Sequence, residues 1–309
     1  MVDGVLVVDK PQGPTSHDVV AVARRALSTR AIGHTGTLDP MATGVLALCV
    51  GQATKLSNYL MARSKVYRTT LALGQATDTL DREGAVVEEQ SVPRFDSADV
   101  ERAFASFGGG YLQTVPRFSA VKVDGRALHR SARAGAEVAP PARHVTLHET
   151  RVHSVAEREI DFSLRSGSGF YVRSFGRDLA EKLGTVGHLT RLRRIAVGTM
   201  HVDGAVSFDL LKAAREGDDE ARGKLRDHLL PPLDAWGPRY RVRLTSAGET
   251  DASCGRPVGP EGIAHRDELD GDQTYALVAP NGRLCALARP VEDRLKIVRG
   301  FPAESSSKG

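Results

Sequence analysis

The segment from residue 33 to residue 50 places a glycine-rich loop directly before a wholly apolar run. The loop reads Gly-His-Thr-Gly-Thr-Leu-Asp-Pro-Met-Ala-Thr-Gly, and the run from Val45 to Val50 follows it without a break. Three glycines in this loop predict sharp bends or a close approach to a ligand, because glycine adopts positive φ without steric strain. The one carboxylate of the loop, Asp39, is therefore expected to be presented rather than buried. Spacing alone leaves a second interpretation open, in which Asp39 only caps a turn before Pro40.

Apolar patterns along the rest of the chain predict strands and helices in mixed order. Predicted strands lie at Gly4 to Val8, Val66 to Leu73, Val145 to Val155 and Glu159 to Leu164. Predicted helices run from a Thr15 or Ser16 cap to about Ser28, from Asp96 to about Phe107, and from Val172 to Leu183. Since no regular βαβ period connects them, the patterns predict an α+β fold with a mixed, mostly antiparallel sheet and flanking helices.

A domain boundary is predicted between about Leu229 and Arg239, where Leu-Pro-Pro-Leu-Asp-Ala-Trp-Gly-Pro is expected to break any helix. A chain of 309 residues usually exceeds one core, so we predict a large domain at residues 1–230 and a small one at 239–302. The small domain is expected to be rich in strands, because a Pro-Asn-Gly turn at 280–282 separates two apolar segments. Residues 303–309 are predicted to form a disordered tail.

Composition predicts a cytoplasmic protein. The longest apolar run has six residues, too few to span a bilayer, and the N-terminus has no basic leader of the secretory kind. The three cysteines are far apart and form no Cys-x-x-Cys pair, which argues against a disulfide framework or a zinc site. We therefore predict no membrane association and no metal.

Basic residues are concentrated in one segment. Residues 114–144 contain six basic and two acidic side chains, a net charge of +4 that equals the net charge of the whole chain. Within it, Arg126, Arg130 and Arg133 are spaced so that a helix would align them on one face able to contact phosphates. The alternative is a solvated basic surface without a ligand.

Several short motifs accompany the glycine-rich loop in a fixed order. They are Asp9-Lys-Pro-x-Gly-x-Thr-Ser16, Gly51-Gln-Ala-Thr-Lys55, Tyr67-Arg68, Gly74-x-x-Thr-Asp-Thr-x-Asp81, Ser119-Ala-x-Lys122, Gly169-x-Tyr-x-Arg173 and Leu192-Arg-Arg194. Over about residues 4 to 200, this series resembles the TruB family of tRNA pseudouridine synthases. The last third of the chain resembles that family only in general character.

The resemblance implies isomerisation of uridine to pseudouridine at position 55 in the T-loop of tRNA. The bond between ribose C1′ and base N1 breaks and C1′ is joined to C5 of the same base, so no cofactor is implied. Asp39 is implied as the catalytic carboxylate, which traps or stabilises a cationic C1′, and a glycal route stays open. Arg173 is implied as its partner, because a guanidinium favours the ionised form of a carboxylate and a two-point contact fixes its orientation.

The resemblance also implies a pocket for a base extruded from the RNA stack. Tyr67 would stack on that base, Tyr171 and Leu192 would line the pocket, and His34 would lie near the displaced nucleotide. Each of these side chains also has a simpler interpretation as a core or loop residue. Two segments, at 115–119 and 166–171, depart from the family pattern, so contacts there are expected to differ.

The implied partner is the T arm of tRNA, held by the 114–144 segment as a clamp and by a PUA-like RNA-binding domain at 239–302. No obligate protein partner is expected, and the protein is expected to be a monomer. A competing hypothesis is a non-catalytic RNA-binding protein or RNA chaperone with the same fold. Asp39, Tyr67 and Arg173 together favour catalysis, since a pure binder has no evident need for all three.

Overall fold

The computed structural model describes residues 3–123, 125–128, 138–266, 269–270 and 273–302. In these ranges the strands are β1 Gly4–Lys10, β2 Ile32–His34, β3 Thr43–Val50, β4 Lys65–Leu73, β5 Gln75–Thr77, β6 Val86–Glu89, β7 Gly110–Thr114, β8 Lys122–Val123, β9 Arg126–Ala127, β10 Ala142–Ala156, β11 Glu159–Ser166, β12 Gly187–Val197, β13 Met200–His201, β14 Val206–Ser207, β15 Arg241–Leu244, β16 Ile263–Arg266, β17 Tyr275–Val278, β18 Leu284–Val291 and β19 Arg294–Gly300. The helices are α1 Ser16–Ala26, α2 Ser57–Met61, α3 Ser97–Ala105, α4 Val172–Lys182, α5 Phe208–Glu216, α6 Asp219–Asp227, α7 Pro232–Trp236 and α8 Ser246–Ser253.

The larger sheet has the strand order β14-β1-β3-β12-β4-β11-β10-β7, with β2 paired to β3 and β13 paired to β12. Two of its pairs, β1 with β14 and β3 with β12, are parallel, and the others are antiparallel. The predicted mixed, mostly antiparallel sheet with flanking helices is therefore confirmed. The parallel pairing of β3 with β12 matters for the site, because it places the start of β3, just after the Asp39 loop, beside the middle of β12.

The apolar run in β3 is explained by burial on both faces of the sheet. Leu46, Leu48 and Val50 pack into the core that includes α1, α3, α4 and α5. Their neighbours Val45 and Ala47 face the other way, into a second core shared with the C-terminal sheet. Both sets are fully buried. A strand covered on two sides has no need of a polar face, so its sequence shows no alternation.

A second, five-stranded sheet follows in the order β16-β15-β17-β18-β19, with β15 and β17 parallel. Leu284, Leu287 and Phe301 belong to the core shared with β1 and β3. The two apolar segments predicted on either side of the turn at 280–282 are present as β17 and β18. None of the helices in the described ranges has the length and apolar character needed to cross a membrane.

The predicted helix break near the boundary is wrong in one respect. Helix α7 begins at Pro232, whose fixed φ and missing N–H suit the first position of a helix. Its end at Trp236 is followed by Gly237 with φ of 93°. The prolines therefore start a short helix here instead of preventing one.

The predicted helical face of three arginines is also not what the structure shows. Arg126 lies in the short strand β9, which pairs with β8 in a hairpin. A residue in a strand cannot continue a helical face, so Arg126 does not belong to one helix with the other two. Arg130 and Arg133 lie outside the described residues, as does the predicted tail at 303–309.

Candidate active site

The Asp39 loop is tied to the N-terminal segment through its main chain. The Ser16 hydroxyl accepts a hydrogen bond from the Leu38 N–H at 2.8 Å and donates to the Leu38 carbonyl at 3.1 Å. On the other side of Asp39, the Pro40 carbonyl accepts from the Gly13 N–H at 2.9 Å and from the Lys10 ammonium at 3.3 Å. Asp39 is thus anchored on both sides, and its own side chain stays about one-third exposed.

Arg194, on the neighbouring strand β12, holds the main chain before and after Asp39. Its buried guanidinium donates to the carbonyls of Val45, Gly36 and Thr37 at 2.7, 3.0 and 3.3 Å. Gly44, with φ of 99°, lies against the main chain of Arg194 so closely that an added Cβ would be 2.1 Å from its carbonyl oxygen. No role was predicted for Arg194, because its guanidinium binds main-chain carbonyls, which residues of any type can supply.

The Asp39 carboxylate faces the guanidinium of Arg173. Arg173 Nε lies 2.9 Å from Asp39 Oδ2, and Arg173 Nη2 donates to Asp39 Oδ1 at 3.1 Å. Arg173 is in the first turn of α4, and its side chain is only 4% exposed. It is therefore not a surface arginine. The two residues, 134 positions apart, meet at two pairs of atoms: Nη2–Oδ1 is a hydrogen bond, and Nε–Oδ2 is a close ion-pair contact without hydrogen-bond geometry.

A second carboxylate holds the far side of this guanidinium. Asp81 Oδ2 lies 3.6 Å from Arg173 Nη1, and Asp81 is buried. The remaining donors of Arg173 reach main-chain oxygens, from Nη1 to Thr79 at 2.6 Å and from Nη2 to Phe118 at 2.9 Å. The other Asp81 oxygen accepts from the Thr79 hydroxyl at 2.7 Å and the Glu83 N–H at 3.0 Å. Asp81 belongs to one of the sequence motifs, but its position beside Arg173 was not predicted.

Gln113 on β7 holds the start of α4. Its amide accepts from the Tyr171 N–H at 2.8 Å and donates to the Tyr171 carbonyl at 3.0 Å. The Gln113 amide also donates to the Tyr111 hydroxyl, which in turn donates to the Asp178 carboxylate, each at 2.7 Å. Burial and then the Asp178 charge raise the pKa of Tyr111, so its hydroxyl stays protonated. No feature of the local sequence pointed to Gln113.

These elements enclose a cleft of about 450 Å³. It is lined by five of the predicted site residues: Asp39, Tyr67, Tyr171, Arg173 and Leu192. Tyr67 on β4 and Leu192 on β12 point to the same side of the sheet, and each is less than a tenth exposed. The Arg143 guanidinium lies 5.4 Å from the centre of the Tyr171 ring. A carboxylate, an aromatic ring and a leucine thus surround a space that a flat ligand can enter.

His34 stands apart from this group. It is half-buried on β2 and is not among the residues that line the cleft. Its Nδ1 accepts a hydrogen bond from the Gly36 N–H at 3.3 Å, and its ring contacts His17 edge-on at 5.4 Å between centroids. Burial, and then the charges of His17 and Arg194, lower the pKa of His34.

We expect His34 to be neutral at pH 7 with its proton on Nε2. A proton on Nδ1 would remove the acceptor that Gly36 uses, and the causes above disfavour the charged ring. Long-range proton–nitrogen NMR of the histidine rings should show the Nε2–H tautomer and a titration midpoint below 6.5. In His17→Ala that midpoint should move up, because one nearby positive charge is lost. An Nδ1–H tautomer at pH 7, or no movement in His17→Ala, would contradict this account.

The histidines that follow residue 143 do not form a metal site. His144, His148 and His153 lie along strand β10, as the sequence pattern favoured. Within the part of the chain that the structure describes, no three His, Cys, Asp or Glu side chains are grouped so that they could hold a metal ion.

Two family models match this chain in succession. The N-terminal domain of the TruB family pseudouridylate synthases matches residues 24–172, and the C-terminal domain of tRNA pseudouridylate synthase B matches residues 173–235. The chain belongs to the TruB family. Asp39, Tyr67 and Tyr171 lie in the first match, and Arg173 and Leu192 lie in the second.

Curated TruB relatives cover nearly the whole chain. The tRNA pseudouridine synthase B of Thermobifida fusca is 42% identical over 297 residues, which are 93% of this chain and 94% of the relative. The enzyme of the same name from Arthrobacter sp. is 37% identical and covers all of both chains. Among solved structures, a chain of the archaeal box H/ACA sRNP Nop10–Cbf5 complex superposes with a TM-score of 0.74 at 19% identity, covering 97% of this chain and 87% of its own length. That last likeness shows that the fold is shared.

Proposed function

We propose that this tRNA pseudouridine synthase acts on the uridine at position 55 of the T-loop and uses Asp39 as its catalytic carboxylate. Its relatives carry the name tRNA pseudouridine synthase B, and the chain is an isomerase of the same kind. The observation that carries the assignment of Asp39 is its contact with Arg173 at the edge of the cleft. A carboxylate held in this way is oriented before the RNA arrives, as electrostatic catalysis requires.

The role of Asp39 follows from the bonds that change. Breaking the C1′–N1 bond leaves the electron pair on the base and an electron-poor centre at C1′. A carboxylate oxygen can stabilise that centre, bond to it, or take part in a glycal route through the neighbouring carbon. Each route needs a negative charge near the ribose, and none needs an added oxidant, reductant or nucleotide.

Arg173 and Asp81 serve to hold Asp39. The guanidinium is fixed by two carbonyls and by Asp81, so only small rotations of its plane are open to it. The hydrogen bond from Nη2 and the close ion-pair contact of Nε then hold the Asp39 carboxylate in this orientation. In this proposal Arg173 and Asp81 are positioning residues, and Asp39 is the group that meets the substrate.

The remaining cleft residues are assigned to the extruded base. Tyr67 offers an aromatic face for stacking, and Leu192 and Tyr171 offer apolar walls. Removing a base from its stack costs a few kcal/mol, which stacking on Tyr67 would partly offset. His34 lies outside the cleft lining, so its place in the proposal is beside the displaced nucleotide rather than against the target base.

The C-terminal region at 239–302 is proposed as a PUA-like RNA-binding domain beside a catalytic domain at 1–230. Its five strands contain arginine and lysine but no aspartate or glutamate. Several of these cations are exposed, among them Arg289, Arg294 and Lys296. Exposed cations on β18 and β19 suit contact with phosphates, and the acidic residues Glu292 and Asp293 are confined to the turn between these strands. The 114–144 segment, with Arg126, Arg130 and Arg133, remains proposed as a clamp on the T arm.

The test uses a tRNA transcript labelled with [5-³H]uridine. Pseudouridine formation replaces the C5–H bond with a C5–C1′ bond, so the target site loses its tritium to water. We expect release from the natural transcript and none from one with cytidine at position 55. A protein that binds both transcripts and releases tritium from neither would be a non-catalytic RNA binder. Release from the cytidine-55 transcript would place the modified uridine elsewhere.

A further inference from the structure

Lys65 is a buried cation in the wall of the catalytic cleft. It lies on β4, two residues before Tyr67 and on the same face of the strand, and it lines the cleft with Tyr67 and Arg194. The residue is 7% exposed. Its ammonium donates to the Met61 carbonyl and, at 2.7 Å, to the Arg63 carbonyl. No carboxylate of the described residues lies within ion-pair distance of it.

The surroundings of Lys65 make its positive charge unfavourable. Burial, followed by the charge of Arg194, lowers the pKa of Lys65 to about 8. Arg194 lies on β12 directly opposite Tyr67, and its guanidinium also binds carbonyls rather than a carboxylate. Among the described residues, no carboxylate lies within ion-pair distance of Lys65 or of Arg194, whereas Arg173 faces two carboxylates. An anion beside Lys65 would stabilise its charge.

The reaction produces such an anion inside the cleft. When the C1′–N1 bond breaks, its electron pair stays on the base, and the negative charge spreads over N1 and the two ring carbonyl oxygens. We propose that Lys65 is a further catalytic residue, whose ammonium contacts the detached uracil ring and stabilises this negative charge. The proposal rests on the function proposed above, since it needs a uridine whose ribose faces Asp39 and whose base lies along Tyr67.

The step balances without any additional reactant. C5 of the uracil anion gives an electron pair to C1′ and forms the new carbon–carbon bond. The proton on C5 then leaves to solvent or a solvent-connected base, and N1 takes one proton from water. Lys65 remains protonated throughout and acts by its charge alone. The alternative is a purely structural lysine that closes the C-terminal end of α2 through the Met61 and Arg63 carbonyls.

The experiment compares uridine with 5-fluorouridine at the single target position of a T-arm hairpin. Fluorine withdraws electrons, so the detached base carries its negative charge more easily and needs less help from a cation. With enzyme in excess, single-turnover loss of the target nucleoside is followed by nuclease digestion and mass spectrometry. In Lys65→Met we expect the rate on uridine to fall about tenfold or more, and the rate on 5-fluorouridine to fall by about threefold or less.

The decisive quantity is the rate on 5-fluorouridine divided by the rate on uridine, measured with one preparation of each protein. This ratio does not depend on the fraction of correctly folded protein. Lys65→Gln, which keeps a donor for the Met61 and Arg63 carbonyls, should raise the ratio like Lys65→Met. Lys65→Arg and Lys212→Met, a change on the exposed side of helix α5, should leave this ratio as in wild type. An equal loss on both substrates, or no loss on uridine, would overturn the proposal. A wild type that converts neither hairpin would instead refute the proposed function.

Discussion

Replacing Asp39 with asparagine is expected to lower the single-turnover rate of pseudouridine formation by about a thousandfold or more. Asparagine has nearly the same shape and keeps an oxygen that can accept from Arg173, so the loop should hold its position. What is lost is the negative charge that we propose stabilises C1′. Tritium release from labelled tRNA measures the effect, and binding of the same tRNA should persist in the variant.

A matched control is Asp209→Asn, which removes a carboxylate that is 87% exposed on helix α5. That variant should release tritium at the wild-type rate. Tritium release by Asp39→Asn within tenfold of wild type would remove Asp39 from the catalytic role. Loss of both tritium release and tRNA binding would indicate a disturbed loop and not the missing charge. Thermal unfolding followed by circular dichroism would then show whether Asp39→Asn is less stable than wild type.

Replacing Arg173 with methionine should damage both activity and stability. The change leaves the Asp39 and Asp81 carboxylates without the cation that lies between them, and Asp81 is buried. Breaking a buried ion pair from one side destabilises a protein by about 3–5 kcal/mol. We expect a loss at the lower end of that range, since Asp39 is partly exposed, and a rate at least about a hundredfold lower. Urea unfolding and tritium release measure the two effects.

The double variant Arg173→Met with Asp81→Asn separates these two effects. It removes the uncompensated buried charge, so part of the lost unfolding free energy should return. Activity should not return, because Asp39 still lacks its two-point contact. If stability stays as low as in the single variant, Asp81 is not the group that Arg173 neutralises. If activity returns, the guanidinium is not needed to orient Asp39.

The sequence predicted those parts of the fold that local patterns determine. Strand β4, the paired strands β10 and β11 and helix α4 all appear near their predicted bounds, because alternation and helical periodicity record which face of each element is buried. The fold class followed from their mixed order. The meeting of Asp39 with Arg173 could not come from spacing, and it was reached through the family resemblance.

What sequence reasoning missed depends on main-chain partners and on tertiary position. Arg194 and Gln113 bind backbone groups of the Asp39 loop and of Tyr171, and any residue type can supply those groups. Asp81 looks like an ordinary turn residue until the chain brings Arg173 beside it. The prediction of a helix break at Pro232 was wrong because proline breaks a helix only in its interior. At the first position of a helix it is favourable.

The apolar layer between the two sheets sets limits on how the enzyme can adapt to RNA. Strand β3 leads away from the Asp39 loop, and its outer face packs into an apolar core that also contains Leu284, Leu287 and Phe301 of the C-terminal region. Swinging that sheet outward would wet this layer, and hydrophobic burial opposes such a hinge. Adjustment to bound tRNA is therefore expected in loops around the rim of the cleft. The Asp39 loop would then stay on a frame that hydrophobic burial holds in place.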